Sequence, residues 1–404
     1  MLVFLCMAIN LTTTRIASID TFRGITILVM IFVNELAGVS GLPAWMKHMP
    51  ADADAMTFVD VVFPAFLFIV GMSVPFALAN RLAKGDTFLK RQKHILIRTL
   101  GLLVLGVFMV NAEGGYREDY MPLSIAAWSL LFYVSVILVW NVYTFKRKEI
   151  SMALRVIGVM GLIVLALIYR GGAHGDQHLS PQWWGILGLI GWAYLIACLL
   201  YQLSRGNQLA LFMMTAFCIA YYCAGNSISM TDQPNRLQLL FSQTGHAAHT
   251  AIVLCGILLS LLLFDNGKEQ TQKQRYIKAL GFALVLVIAA WWLRPYYGIS
   301  KIHSTPSWCL YCSAICTIIF LLLYAAVDLK KYSTWTNFFR PAAMNALLIY
   351  CIPFFIYAML QVFHIQFPSF LYEGITGVIW SAIYSVLILS MAILLNRMKI
   401  KLQL

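Results

Sequence analysis

The sequence predicts an all-α membrane protein, a polytopic bundle of about 12 transmembrane helices with the amino and carboxyl termini both in the cytoplasm. Hydrophobic residues make up 61% of the 404 residues, and charged residues make up only 11%. A soluble domain carries about a quarter charged residues. The composition therefore excludes an ordinary globular enzyme, and the apolar runs and basic residues indicate the number of helices and their orientation.

Apolar runs long enough to cross ~30 Å of hydrocarbon recur along the whole chain. They lack the alternation of barrel strands, and backbone polar groups cannot face lipid unpaired, so each run is predicted to be a helix. The runs 151–169 and 208–225 are short and allow a partly re-entrant interpretation. The predicted segments are 22–40, 58–80, 95–112, 122–143, 151–169, 183–203, 208–225, 246–264, 277–294, 307–327, 342–362 and 371–396.

The basic residues separate cleanly when the loops are assigned alternately to the two sides of the membrane. Of the 29 Lys and Arg residues, 23 fall on the side of the amino terminus and 6 on the other side. The positive-inside rule places the richer side in the cytoplasm. We expect a multi-pass protein of the bacterial inner (cytoplasmic) membrane, with residues 1–18 as a cytoplasmic tail and residues 19–404 as one transmembrane domain.

The net charge of +13 does not indicate a nucleic-acid binder, because Lys and Arg occur in short clusters between apolar runs. Membrane lipid is the partner that the composition predicts, and a homodimer is compatible with it. At the start of the first predicted helix, Asp20 and Arg23 are three residues apart and share one helical face. A guanidinium at this position suits the binding of a phosphate or pyrophosphate. A structural role, in which Arg23 is a positive-inside anchor paired with Asp20, explains the arginine equally well.

Four polar residues are predicted to lie at the opposite membrane boundary: Asn34, Glu35, His48 and Asp60. Ionisable residues at this depth are costly and are candidates for function. His48 suits a general base, Asn34 could donate a hydrogen bond to an oxyanion, and Asp60 could orient the imidazole or cap the second helix. Taken singly, each residue has a structural explanation that we favour, so the set is only suggestive.

Two further histidine pairs have a weaker signal. His246 and His249 are three residues apart at the start of the eighth segment, and His174 and His178 flank Asp176 in a loop. A metal site is conceivable for either pair, but three ligands with suitable spacing are not evident. We interpret these histidines as solvated residues at the membrane boundary and expect no metal.

Several motifs resemble the heparan-α-glucosaminide N-acetyltransferase family and its bacterial relatives, a group of transmembrane acyltransferases. The amino-terminal motifs are SIDTFRG (18–24), IFVNELAG (31–38), His48 and FVDVVFPAFLFIVGMSVPFAL (58–78). SKIHSTPSW (300–308) and NFFRPAAMNALLIY (337–350) resemble motifs near the family's closing helices. The resemblance covers both ends of the chain and is weakest over about 145–245.

The resemblance implies that residues 19–404 form a transmembrane acyltransferase domain. Such a domain would move an acetyl group from cytoplasmic acetyl-CoA to an amino sugar or glycan on the periplasmic side, by N- or O-acetylation. It implies His48 and Asn34 as catalytic residues, with Asp60 beside the histidine. Arg23, with Asp20 and Arg98, would hold the phosphates of acetyl-CoA.

The sequence also departs from the family's pattern. Ser300 and Ser304 replace an asparagine and a tryptophan, Ala343 replaces a glycine, and Pro122-Leu123-Ser124 stands where a Leu-Gln-Arg element is expected. Two other interpretations therefore stay open: a sugar transporter or permease whose path is lined by the same polar residues, and a non-catalytic membrane scaffold.

Overall fold

The fold was analysed in a computed structural model that describes residues 16–229, 243–265 and 270–404. Residues 1–15 of the predicted amino-terminal tail lie outside the described residues. The regular secondary structure of the described ranges is helical. Pairing of extended backbone in these ranges is limited to isolated β-bridges, such as the one between Ser40 and Glu373. The predicted all-α class is confirmed.

Thirteen α-helices occur in the described residues, and ten of them are long and apolar enough to cross a membrane. The two shorter apolar helices, α4 and α12, also coincide with predicted segments. The helices are α1 (Ala17–Ala37), α2 (Val59–Ala83), α3 (Phe88–Glu113), α4 (Ile125–Trp140), α5 (Lys148–Ile168), α6 (Gly185–Leu203), α7 (Gln208–Ser229), α8 (Thr244–Phe264), α9 (Gln272–Tyr297), α10 (Pro306–Tyr324), α11 (Arg340–Met344), α12 (Ala346–Val362) and α13 (Gly374–Arg397).

Every predicted segment corresponds to one apolar helix, so the chain is a multi-pass membrane protein. The re-entrant interpretation of 151–169 and 208–225 is wrong, because α5 has 21 residues and α7 has 22. The run 151–169 seemed short because Lys148 and Glu149, polar residues in the first turn of α5, lie outside the apolar run, whereas α7 continues beyond the run 208–225 to Ser229. The assignment of each loop to one side of the membrane stays a prediction.

The helices form two compact units, each assembled from separated stretches of the chain. The first unit contains the described parts of Met1–Phe22, Pro43–Thr99 and Ile190–Thr336. The second unit contains Arg23–Leu42, Leu100–Leu189 and Asn337–Leu404. Three of the five boundaries fall inside α1, α3 and α6, so cuts at loops alone do not separate the two units.

In the first unit, α8 is buried along most of its length and packs against α2, α7 and α10. Two glycines bring α2 and α8 together: a Cβ on Gly71 would overlap the carbonyl of Val253, and a Cβ on Gly256 would overlap the carbonyl of Phe68. Small residues permit such close backbone approach between membrane helices. The Ser260 hydroxyl adds an interhelical hydrogen bond of 2.9 Å to the carbonyl of Met72.

In the second unit, α4 packs against α5 and α12, and an aromatic stack fills the interior. The ring of Phe108 stacks on Phe132 at 4.9 Å and on Trp128 at 5.5 Å. The buried indole N–H of Trp128 donates to the carbonyl of Leu165 at 2.9 Å, so α5 is held although it exposes most of its surface.

A buried asparagine joins the carboxyl-terminal stretch to the α11–α12 junction in the second unit. Asn345 is 1% exposed and donates to the side chain of Asn396 at 3.2 Å and to the carbonyl of Ile400 at 3.0 Å. It also accepts from the backbone N–H of Leu402 at 3.1 Å. The side chain is used within the fold, which accounts for the asparagine in the motif 337–350 on structural grounds.

Candidate functional site

His48 and Asp60, two of the residues predicted from the sequence, lie together in the first unit. Asp60 is in the first turn of α2 and is 1% exposed, whereas His48 lies in the preceding loop and is exposed. Nδ1 of His48 is 2.7 Å from Oδ1 of Asp60. An ionised carboxylate only accepts hydrogen bonds, so Nδ1 carries the hydrogen and the lone pair of the neutral ring is on Nε2.

The second carboxylate oxygen of Asp60 orders the loop that carries the histidine. It accepts the backbone N–H groups of Met49 at 3.3 Å and Thr57 at 3.0 Å. The Thr57 hydroxyl donates to the carbonyl of Lys47 at 2.9 Å. The buried carboxylate therefore fixes the imidazole and the loop backbone that follows His48, and Thr57 holds the backbone at Lys47. A catalytic base needs its orientation fixed by supporting residues in this way.

Lys301 completes this cluster and was not assigned to a site from the sequence. Its ammonium nitrogen Nζ lies 3.1 Å from Nε2 and 3.3 Å from Nδ1 of His48. Burial lowers the pKa of the half-buried Lys301, and the negative charge of Asp60 acts in the opposite direction. We refer to His48, Asp60 and Lys301 as the histidine cluster.

Lys301 is positioned because its loop, 298–305, docks onto the loop that carries His48. Asp54 accepts from Nε of Arg294 at 2.9 Å and from the backbone N–H of Ile299 at 2.8 Å. The Ser300 hydroxyl donates to the carbonyl of Ala51 at 2.8 Å. Ser300 departs from the family's pattern, and here it has a structural role in holding the two loops together.

His249 lies beneath the same loop, and its interpretation as a solvated residue is wrong. The side chain is only 4% exposed, and Nε2 is 3.1 Å from the hydroxyl of Ser304. The rings of Phe63 and Trp308 meet it edge-on at 5.3 and 6.2 Å. Polarity misled the prediction, because aromatic packing encloses the ring. Within the described ranges, no group of three or more His, Cys, Asp or Glu side chains is arranged to hold a metal.

Asn34 and Glu35, the other two residues of the predicted set, belong to the second unit. They are neighbours near the end of α1, and they point into different surroundings: Asn34 is exposed, whereas Glu35 is 7% exposed. The structure therefore groups the four residues into two pairs, with His48 and Asp60 in one unit and Asn34 and Glu35 in the other.

The residues predicted to bind phosphates are also divided between the units. Asp20 belongs to the first unit, and Arg23, three residues later on α1, belongs to the second. Nη1 of Arg23 is 3.4 Å from the carbonyl of Ala343. Arg98, in the first unit, stacks its guanidinium over the ring of Tyr194 at 4.8 Å.

A further arginine in the first unit was missed from the sequence. Arg91 lies in the first turns of α3, and its Nε is buried without a hydrogen-bond partner among the described residues. The neighbouring Gln92 is engaged, because it donates to the side chain of Gln202 at 2.6 Å. In the sequence, Lys90, Arg91 and Lys93 contributed only to the count of basic residues on the predicted cytoplasmic side. No sequence pattern distinguishes Arg91 from the other two.

The fold and the histidine cluster define a polytopic α-helical membrane protein with a carboxylate-held histidine in a loop between two spans. Residues 15–235 match the family described as Domain of unknown function (DUF5009), and the chain belongs to that family. The chain is also 26% identical over 373 residues to the human (Homo sapiens) heparan-alpha-glucosaminide N-acetyltransferase, an alignment that covers 83% of this chain.

A second relative is the heparan-alpha-glucosaminide N-acetyltransferase of Mus musculus, 35% identical over 100 residues, which cover 25% of this chain and 14% of the mouse protein. The alignment with the human protein covers 52% of that protein, so this chain spans about half its length. The family resemblance predicted from the motifs is confirmed.

Proposed function

We propose that this chain is a transmembrane acetyltransferase that transfers an acetyl group from cytoplasmic acetyl-CoA to an amino sugar or glycan at the opposite membrane face. The histidine cluster carries this proposal, because Asp60 holds the imidazole through Nδ1 and leaves Nε2 as the proton-accepting atom, in a loop outside the spans. The similarity to two N-acetyltransferases supports the choice of reaction.

In this mechanism His48 is the general base. Nε2 takes a proton from the acceptor amine while the amine nitrogen bonds to the acetyl carbon. The C–S bond of the thioester then breaks, and the imidazolium gives the proton to the leaving thiolate. Asp60 keeps the hydrogen on Nδ1 and stabilises the imidazolium by its negative charge. Asp60 therefore orients the imidazole when it accepts the proton and stabilises the positive charge that the ring carries until it returns the proton.

Lys301 lies on the other side of the imidazole. Its ammonium nitrogen is 3.1 Å from Nε2. An acceptor amine must displace Lys301 from Nε2 before it can donate there. Burial lowers the pKa of Lys301, and this eases the exchange because desolvation disfavours the charged form of the lysine.

Asn34 would supply the second catalytic group by donating its amide N–H to the oxyanion of the tetrahedral intermediate. Its exposed side chain, next to the buried Glu35, is available for such a donation. The assignment to this reaction comes from the family resemblance, since Asn34 and His48 lie in different units.

Acetyl-CoA, when bound, supplies the thioester-activated acetyl group. The basic start of α3 fits its phosphates. The buried Nε of Arg91, which has no hydrogen-bond partner in the described part of the chain, is a donor that an anion would satisfy, and Arg98 lies two turns further along the same helix. The family resemblance also assigns Arg23, with Asp20 three residues before it on α1, to the phosphates. These arginines hold and orient the donor, and none takes part in proton transfer.

The proposal is tested with full-length protein in proteoliposomes, radiolabelled acetyl-CoA and glucosamine as acceptor. We expect acetyl-glucosamine to form with wild type and with His364→Ala, a control at an exposed histidine of the second unit, and to be lost with His48→Ala. Transfer that persists in His48→Ala would overturn the role of the histidine. Uptake of glucosamine without acetylation, independent of acetyl-CoA, would instead favour the transporter interpretation.

A further inference from the structure

The carboxylate of Glu35 is buried in the second unit and is held only by neutral donors. The hydroxyl of Tyr357 donates to its two oxygens at 2.6 and 2.7 Å, and the indole N–H of Trp380 donates at 3.0 Å. Among the described residues, Glu35 forms no ion pair. A carboxylate offers about four acceptor positions, so these two donors leave acceptor capacity unused.

A structural link between α1, α12 and α13 does not require this charge. A glutamine at position 35 could accept from Trp380 and donate to Tyr357, and it would avoid the cost of burying an ionised group. A carboxylate retained in such a place, with acceptor positions unfilled, points to a donor from outside the chain.

The surroundings of Glu35 are aromatic and partly open. The ring of Trp380 lies 5.2 Å from Phe367 and 5.9 Å from Tyr384, and Tyr384 lies 6.0 Å from Tyr357. Trp380, Tyr357 and Phe367 are half-buried, so part of each side chain is exposed. The hydroxyl of Tyr384 is buried and has no hydrogen-bond partner in the described residues, which adds a second unsatisfied polar group to this wall.

This aromatic wall is fixed to the end of α1. The backbone N–H of Ser40 donates to the carbonyl of Tyr372 at 2.8 Å, and the N–H of Gly374 donates to the carbonyl of Ser40 at 2.9 Å. The loop after α1 and the loop before α13 are therefore joined, and Asn34 precedes Glu35 on the last turns of the same helix.

Aromatic faces combined with a few polar groups are the usual lining of a ligand site. Saccharides match this lining, because their ring faces are apolar and their edges carry hydroxyl donors. We propose that Glu35, Tyr357 and Trp380 form a saccharide-binding subsite, in which sugar hydroxyls donate to the Glu35 carboxylate and a ring face packs on Trp380. The subsite rests on the proposed function, for which it would hold the acceptor glycan.

Binding is measured separately from catalysis, with full-length protein in nanodiscs and the β-1,4-linked glucosamine disaccharide as probe. Saturation-transfer NMR without acetyl-CoA gives the dissociation constant, and acetyl transfer gives KM and kcat. We expect Glu35→Gln to weaken disaccharide binding about tenfold, the effect of one lost charge-assisted hydrogen bond, and to raise KM with kcat nearly unchanged. Glu373→Gln, at an exposed glutamate directly before α13 in the second unit, serves as the matched control.

Trp380→Phe provides a second variant, since it keeps an aromatic side chain but removes the N–H and part of the packing face. Unchanged binding in both folded variants overturns the subsite, even if His48→Ala still abolishes transfer. Weakened binding in both, with no acetyl transfer by wild type, supports the subsite and overturns the proposed enzyme. Equal losses in Glu35→Gln and Glu373→Gln also contradict the subsite, because Tyr357 and Trp380 donate to Glu35 and not to Glu373.

Discussion

The ammonium of Lys301 lies 3.1 Å from Nε2 of His48, the ring nitrogen that Asp60 does not hold. The imidazole therefore has a carboxylate on one side and a cation on the other. This arrangement comes from two loops that are 253 residues apart in sequence and joined by hydrogen bonds. It leads directly to predictions about Lys301.

Removing the ammonium of Lys301 should make Nε2 of His48 easier for the acceptor amine to reach. With Lys301→Met, no ammonium has to be displaced from Nε2, so KM for glucosamine should fall by about threefold. Lys301→Arg keeps the charge and should leave KM near its wild-type value. Equal KM values for the Met and Arg variants would contradict the role of the charge.

The same lysine should make folding stability depend on pH in the alkaline range. Burial lowers the pKa of Lys301 in the folded state, whereas the unfolded chain keeps a value of about 10.4. Between these two values the unfolded state binds more protons, so the free energy of unfolding should rise with pH. Unfolding midpoints in detergent across this window should lose that rise in Lys301→Met, and a rise of equal size in the variant would count against it.

Asp60→Asn should impair both catalysis and the loop around His48. The amide group cannot accept the N–H groups of Met49 and Thr57 while also accepting from Nδ1, so the imidazole loses its fixed orientation. We expect acetyl transfer to fall by about 10²- to 10⁴-fold, with a lower unfolding midpoint. Asp52→Asn, at a fully exposed residue of the same loop, should change neither measurement. Similar losses in the two variants would indicate a general effect of loop charge.

Arg91→Ala should raise KM for acetyl-CoA by about tenfold, the effect expected from one charge-assisted hydrogen bond. Lys90→Ala removes an exposed neighbouring charge and should have a much smaller effect. Thermal stabilisation by CoA, measured alongside, should decrease for Arg91→Ala alone, since a ligand stabilises only the state that binds it. If both variants lose equal affinity, the basic end of α3 attracts the donor only by its overall charge.

Close packing of α2 on α8 predicts a steric effect at Gly71. A Cβ there would overlap the carbonyl of Val253, so Gly71→Ala should destabilise the protein by about 1–3 kcal/mol, as overpacking does. Gly281→Ala in α9 is the matched control, because a Cβ at that position meets nothing within 4 Å. Unfolding midpoints in the same detergent compare the two. A midpoint for Gly71→Ala at or above that of Gly281→Ala would contradict the packing.

Hydropathy predicted the helices well because each span must satisfy its own backbone and cover its surface with apolar side chains. The pairing of His48 with Asp60 was also within reach of the sequence, since only twelve residues separate them. Helix ends were predicted less well: polar first turns such as Lys148 and Glu149 of α5 lie outside the apolar run but belong to the helix.

Contacts between distant segments could not be predicted from periodicity. Lys301 reaches His48 only because Ser300 and Asp54 join two loops, and no local pattern encodes that docking. Glu35 was recognised as a boundary residue, but its partners Tyr357 and Trp380 are more than 300 residues away. His249 was assigned to water on polarity alone, although three aromatic or hydroxyl side chains enclose it.

The most direct test of cross-membrane acetyl transfer uses oriented proteoliposomes with radiolabelled acetyl-CoA trapped on the side of the Lys- and Arg-rich loops. Glucosamine is supplied only on the side of His48 and Lys301. The proposed mechanism predicts labelled acetyl-glucosamine in the glucosamine compartment, at a rate abolished by His48→Ala and unaffected by His364→Ala. Label that appears only when donor and acceptor share one compartment would contradict it.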